Sequence, residues 1–476
     1  MGYDAIGESS SVKRIHDLVK RINSQTRTKS SLYEQAATYF AQLEHTDSTL
    51  ETLKQNVADA QVQADSSQDK KRTQQLNKIL ELAKIKLSDF EAKLQAERLM
   101  RKEQVTDVCL TILEYCQGKN KADRQRKLAK ILGTLVLAGP DTPKLARTYN
   151  QRAQHLYHAL LSHQLLNQLI EDNLMNNQYI KQHADTPELF QDQVIIPLLT
   201  AALMQHVGNY HPDAQRILHG DDNEQDPFRV LEQQERLDLL KCNYQQTINY
   251  LNHGLGVANY TGLSREEEQQ FNQVEHDKLA FINTLIKKAL SPKQGLGNLL
   301  KVPQIYTSVV LSTKLNFNYE FLPRAFVLLN KSAEGGGLSK AVINCFLKIM
   351  GNFPQGFGVT YIPKGNDGED LQTYEYAIVN GLYPTHPEYP RCRIVSRKLV
   401  FFTSGSNLTI ERVNNLYYPP TKRKLETISK ERLEAILSQL RGSSKFDSAE
   451  QDRIPSYWKP HDFFIYTRNQ NLWNII

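Results

Sequence analysis

Histidine and arginine are the residue types whose spacing in this chain could do chemistry. Thirteen histidines occur. His155, His158, His163, His183, His206, His211 and His219 fall in one stretch, with His253 and His276 further on. Metal binding from helices needs imidazoles at i, i+3 or i+4, or an adjacent pair of ligands at a helix end. His155 and His158 meet the first condition. A centre drawn from His155, His158, His206 and His211 would hold iron or manganese and activate a water molecule. The simpler reading, adopted here, is that these rings make hydrogen bonds and fill polar gaps in a helical core. His276-Asp277 is an adjacent pair, but within Glu275-His276-Asp277-Lys278 it reads as part of a solvated helix face.

The second stretch is Pro390-Arg391-Cys392-Arg393-Ile394-Val395-Ser396-Arg397-Lys398. Strand alternation puts Arg391, Arg393 and Arg397 on one face, with Lys398 beside them and Tyr383, Tyr389 and Phe401 nearby. Guanidinium forks grip phosphates, and a guanidinium plane stacks on a guanine base. Thr421-Lys422-Arg423-Lys424 adds positive charge. The competing reading is a solvated strand face followed by a linker. Other catalytic patterns are missing: there is no Gly-x-Ser-x-Gly elbow, P-loop or dinucleotide glycine fingerprint. Glu334-Gly335-Gly336-Gly337 reads as a helix break and C-cap, since no strand precedes it and no Lys-Ser/Thr follows. Cys242 and Cys345 sit on apolar helical faces and read as small buried hydrophobes.

The elements that position these residues follow from pattern. The chain has 476 residues, with 40% hydrophobic and 23% charged, material for two or three domains. Its longest apolar stretches, 135–138 and 195–204, fall far short of the roughly 20 residues a spanning helix needs. The N-terminus has neither a basic nor an apolar signal region, and Ile6 stands where a myristoylation signal wants Ser or Thr. The net charge of +6 is too mild to argue for nucleic acid. The five cysteines are odd in number and form no CxxC, which fits reduced thiols in a cytoplasm.

Val12, Ile15, Leu18, Val19 and Ile22 predict a short docking helix. A heptad pattern runs from Leu32 to Ala64, breaks over Asp65–Arg72 in polar residues, and resumes from Leu76 to Leu94. It predicts an antiparallel hairpin or a coiled coil, about 33 residues and roughly 50 Å per arm. Such a stalk suits a protein partner or a second copy of the chain. From 105 to about 350 the pattern is nearly continuous helix, including stretches at 187–208, 227–252, 264–290, 303–315, 321–333 and 338–350. Ser264 is the expected N-cap of its helix, with Glu267 at the capping-box position. After Gly351 short β-rich runs at 357–362, 374–379, 393–395, 399–402 and 408–410 predict a small antiparallel sheet. A helix at about 429–441 and an aromatic tail, 458–476, follow. The expected organisation is 1–104, an N-terminal helical hairpin; 105–350, an all-helical domain; and 351–476, a β-rich domain with helix and tail.

Ala201-Ala202-Leu203-Met204-Gln205-His206-Val207-Gly208-Asn209 resembles the helix that carries Ala-Leu-Leu-His-Asp-Ile-Gly-Lys in HD-GYP proteins, the class II cyclic-di-GMP phosphodiesterases. Residues 232–248 resemble the segment holding that family's next metal histidine. Lys301-Val302-Pro303-Gln304-Ile305-Tyr306-Thr307-Ser308-Val309 resembles the helix of its last metal aspartate, and 334–364 resembles the family's end. The resemblance covers about 140–380 and rests on order and texture. It implies an HD-like helical domain. In the family, adjacent His and Asp bridge a metal centre that hydrolyses a phosphodiester. Here Gln205-His206 stands in their place, Asn209 replaces the lysine, Cys242-Asn243-Tyr244 offers no histidine, and the last aspartate falls at Ser308-Val309. The His-His-Glu and Gly-Tyr-Pro motifs have no counterpart.

These departures give the functional expectation: a catalytically inactive, HD-GYP-like bacterial signalling or scaffold protein without a cofactor. It would act by protein binding through its N-terminal helices and C-terminal domain, as a homodimer or with other partners. Two alternatives remain. One is a cyclic-di-GMP receptor using Arg391, Arg393, Arg397 and Lys398, since that ligand is a small dianion with two guanines. The other is a phosphodiesterase using iron or manganese at His155, His158, His206 and His211.

Overall fold

A computed structural model describes residues 6–24, 30–140, 142–292, 295–426 and 454–474. It is mainly helical, with a small antiparallel sheet near the C-terminus, as the sequence predicts. No helix among the described residues is long and apolar enough to cross a membrane. The expected helix at 429–441 lies outside the described residues. The chain divides into two compact units. One takes in the described parts of Met1–Lys20, Leu110–Asp185 and Leu285–Ile476; the other takes in Arg21–Cys109 and Thr186–Thr284.

The second unit is built on a helical hairpin. Helix α1 (Ser10–Ile22) precedes it and buries Val12, Ile15, Leu18, Val19 and Ile22. Helix α2 (Leu32–Ser66) starts at Ser31, whose hydroxyl accepts from Glu34 N while Glu34 reaches back to the Ser31 amide. This reciprocal cap fixes where the helix begins. After a three-residue break the chain returns as α3 (Lys70–Cys116). Val57, Ala60 and Ala64 pack on Leu76 and Leu80 across the seam, so the heptads close an antiparallel hairpin within one chain. At its base Tyr33, Ala36 and Phe40 are buried, and Tyr33 Oη donates to Leu203 O at 2.7 Å.

The first unit contains helices α4 (Lys121–Leu137) and α5 (Pro143–Glu171). Short helix α6 (Gln178–His183) follows them in the chain. In the hairpin unit, α7 (Pro187–Phe190) passes through a π turn, Gln191–Ile195, into α8 (Ile196–Met204). Pro197 lacks an amide hydrogen, and the wider turn absorbs the lost bond. Helices α9 (Pro212–His219), α10 (Gln233–Asn249) and most of α11 (Arg265–Ala289) complete this unit. Helix α10 begins six residues later than predicted, where Glu232 and Glu235 form a capping box. Ser264 Oγ accepts from Glu267 N at 3.3 Å as expected, whereas the Glu267 carboxylate takes the Tyr260 hydroxyl.

The first unit continues with α12 (Gly297–Val310), α13 (Ala325–Glu334) and α14 (Lys340–Met350). Pro303 suggests a helix start but lies inside α12. The true start is Gly297, where a Cβ would stand 1.9 Å from Lys288 O. The strands are β1 (Gly358–Tyr361), β2 (Glu375–Gly381), β3 (Arg391–Ile394), β4 (Ser396–Arg397), β5 (Val400–Phe401), β6 (Asn407–Thr409) and β7 (Tyr457–Trp458). Five form an antiparallel sheet in the order β6-β3-β2-β1-β7; β4 and β5 form a separate hairpin. Val359 pairs with Ala377, and Val379 with Cys392. A bulge between Val379 and Gly381 re-aims Asn380. Helices α15 (Pro419–Glu426) and α16 (His461–Phe464) flank the sheet's last connections.

Candidate anion-binding cleft

A cleft of about 1070 Å³ opens in the first unit between the start of α4, strand β3, the 404–409 segment and the tail at Trp473 and Asn474. Asn120 is the N-cap of α4, its Oδ1 accepting from Asp123 N at 2.9 Å. The amides of this first turn and the helix dipole favour negative charge at that end. Among the described residues Asp123 is the one carboxylate lining the cleft, which Lys119, Arg126, Lys127, Arg391 and Arg393 also line. The Lys119 amide and the Arg126 guanidinium hold its carboxyl below the usual range. Lys127 Nζ donates to Gln117 O.

Structure separates the four cations of the 391–398 stretch. Arg391 and Arg393 line the cleft; Arg397 and Lys398 do not. Arg391 is exposed, and its Nη1 donates to Leu382 O at 3.3 Å. Arg393 has the same strand parity but is only 3% exposed. Its Nε donates to Leu472 O at 3.1 Å, Nη1 to Gly405 O at 2.6 Å and Nη2 to Asn474 O at 2.6 Å. Burial pushes its pKa down. Arg393 therefore clamps the tail to the sheet, and Arg391 is the guanidinium open to a ligand.

Arg397 and Lys398 turn away because β3 ends at Ile394 and the chain enters the β4–β5 hairpin. Lys398 and Leu399 both have positive φ, 51° and 62°, the geometry of a tight hairpin turn without its usual glycine. Buried Glu375 supports it, accepting from Ser396 Oγ at 2.6 Å and from the Lys398 and Leu399 amides at 2.5 and 3.2 Å. Lys424 is engaged elsewhere, by Asp370 and Val413 O.

Trp473 forms a further wall and is 3% exposed. Its ring lies over Gly133 of α4, where a Cβ would meet Cζ2 at 2.2 Å. Asn380, turned by the bulge, donates to Asn407 Oδ1 and Leu472 O, both at 2.8 Å. The α4 start and the tail escaped the sequence reading. The run Lys119-Asn120-Lys121-Ala122-Asp123-Arg124-Gln125-Arg126-Lys127 is visibly basic, but nothing local says that it faces β3.

The histidines take structural places. His155 and His158 are buried in α5, and His158 Nε2 donates to Leu300 O at 2.9 Å. His206 Nε2 accepts from Gln205 Nε2 at 3.1 Å. His211 Nδ1 accepts from Asp213 N at the start of α9, with its ring edge-on to Phe40. The first pair belongs to one compact unit and the second to the other. Among the described residues no group of three or more His, Cys, Asp or Glu side chains is placed to hold a metal.

The residues that the sequence resemblance sets against the HD-GYP metal ligands are Gln205 and His206, with Cys242-Asn243-Tyr244 and Ser308-Val309. These residues include one imidazole and no carboxylate, a donor set that does not fit a hydrolytic iron or manganese pair. Asn243 Nδ2 donates to Gln205 O at 3.1 Å, and the Gly208 amide donates to Thr247 Oγ1 at 3.1 Å. Ser308, in α12, belongs to the other unit. Cys345 is buried, and burial pushes its thiol up to about 12; Cys242 is half-buried and also raised by burial. No family model, curated protein or solved structure matches this chain.

Proposed function

We propose that the protein is a non-catalytic signalling protein that binds a phosphodiester-bearing nucleotide of the cyclic-di-GMP class in the cleft between α4 and β3. The observation that carries this reading is the convergence of exposed Arg391 and Lys119 at the capped N-terminus of α4. A guanidinium fork, an ammonium and helix amides form a phosphate-binding chemistry. Arg391 can also stack on a purine. The cleft volume suits a ligand of dinucleotide size.

The HD-GYP resemblance enters only as descent. The Asn243–Gln205 contact joins two positions that it aligns with successive metal ligands, which supports a shared packing with the chemistry lost. Bacterial signalling and a cytoplasmic location belong to the same proposal.

Calorimetric titration of cyclic-di-GMP into the full chain tests it. The expected result is one site per chain. Arg391→Ala or Lys119→Ala should weaken it about 10-fold or more, the equivalent of one charge-assisted hydrogen bond. Arg397→Ala should bind as the wild type does. Absence of binding, or binding indifferent to Arg391→Ala and Lys119→Ala together, would overturn the assignment.

A further inference from the structure

Arg393 and Trp473 both line the α4–β3 cleft and both are buried, yet each lacks a partner that a buried group of its kind needs. A guanidinium carries five N–H donors. Three of those on Arg393 are engaged by carbonyls, of Leu472, Gly405 and Asn474. Carbonyls satisfy the hydrogen bonds but leave the charge uncompensated, and a buried cation without an anion is destabilising. Asp123 lines the same cleft but is held by the Lys119 amide and by Arg126. The Trp473 Nε1 is buried with no hydrogen-bond partner. An unpaired indole N–H in the interior forfeits the bond that water would give it. The missing anion and the missing acceptor are supplied by one group, a phosphate.

We propose that the 472–474 tail is itself part of the phosphate site: the two remaining N–H groups of Arg393 and the Trp473 Nε1–H donate to the nucleotide's phosphate, alongside exposed Arg391 and Lys119. The inference rests on the assignment of the cleft to a nucleotide and adds a consequence to it. The guanidinium that takes the phosphate also holds the carbonyls on either side of Trp473, and Asn380 donates a second bond to Leu472 O at 2.8 Å. Ligand and tail therefore share Arg393, and binding locks the tail onto the sheet. The coupling is reciprocal: the factor by which nucleotide tightens the tail is the factor by which an ordered tail tightens the nucleotide.

Hydrogen exchange of the full chain, with and without cyclic-di-GMP, tests the coupling. Saturating nucleotide should slow exchange of the 472–474 amides at least 10-fold, the mark of a segment that opens less often. Trp473→Phe keeps a ring over Gly133 and removes the N–H; it should weaken the nucleotide about 10-fold, the loss of one hydrogen bond to a charged acceptor. In Trp458→Phe, Trp473 is the one remaining tryptophan, and its emission should change as nucleotide binds. Binding to Trp473→Phe at wild-type affinity, or tail exchange unchanged at saturating nucleotide, overturns the inference and leaves the cleft assignment standing. A chain that binds no cyclic-di-GMP overturns both.

Discussion

At Glu275 burial and charge pull in opposite directions. Burial alone would raise its carboxyl, but Lys102 at 2.5 Å, the Ala258 amide at 2.9 Å and Lys278 at 3.0 Å outweigh it and hold the pKa at about 2. Glu275 thus ties α3 and the Ala258 segment to α11, and Lys278 extends the network to Asp192 in the π turn at 2.6 Å. A carboxyl whose native pKa lies below its ordinary 4.5 binds fewer protons folded than unfolded. Its contribution is therefore complete above about pH 4.5 and is lost as pH falls toward 2. Glu275→Gln should lower stability at pH 7 by about 3 kcal/mol, since it leaves a buried ammonium poorly matched. Urea midpoints should show the gap to the wild type closing between those pH limits; a gap independent of pH would contradict the assignment. Sequence marked Glu275-His276-Asp277-Lys278 as a solvated face, and His276 and Asp277 are indeed exposed. That Glu275 turns inward depends on Lys102, far away in the chain. Arg393 has the same lesson: its parity on β3 is readable, but the tail that returns to cover it lies some eighty residues on.

At the scale of elements, the parts most legible in sequence are those whose partners are neighbours in the chain. The heptads of α2 and α3 close on each other, the Ser31 and Ser264 caps start their helices, and Glu334-Gly335-Gly336-Gly337 ends α13, with Gly336 at φ 73°. The misread parts obey distant contacts. Pro303 resembles a helix start, yet α12 begins six residues earlier because Gly297 can lie against the Lys288 carbonyl. The β4–β5 turn has no Asn-Gly signal, because buried Glu375 satisfies its amides instead. Gly133 belongs with these. The Trp473 ring occupies the space of its missing side chain, so Gly133→Ala should displace the ring, costing about 1–3 kcal/mol as overpacking does. In a Trp458→Phe background, Trp473 emission should shift to longer wavelength. Emission unchanged from the Gly133 parent would show that the ring does not depend on that glycine.

At the scale of the whole molecule, each compact unit is assembled from separated stretches, so neither can be read off as one run of sequence. The texture changes near 104 and 350 record where the pattern shifts from heptad to globular helix and from helix to strand. They do not tell which stretches fold together. The cleft shows this most clearly: its walls come from residues near 120, 391, 405 and 473. Sequence could nominate Arg391 but not Lys119, and it grouped Arg391 with Arg397 and Lys398, which the β4–β5 hairpin carries away. A ligand binding only the folded cleft must stabilise the fold by mass action. Thermal unfolding of the full chain with and without cyclic-di-GMP at about 100 times Kd is therefore the most direct measurement. Binding should add about 2.7 kcal/mol of stability, seen as a raised Tm that disappears in Arg391→Ala/Lys119→Ala; an unchanged Tm at saturating nucleotide would overturn the nucleotide-binding assignment.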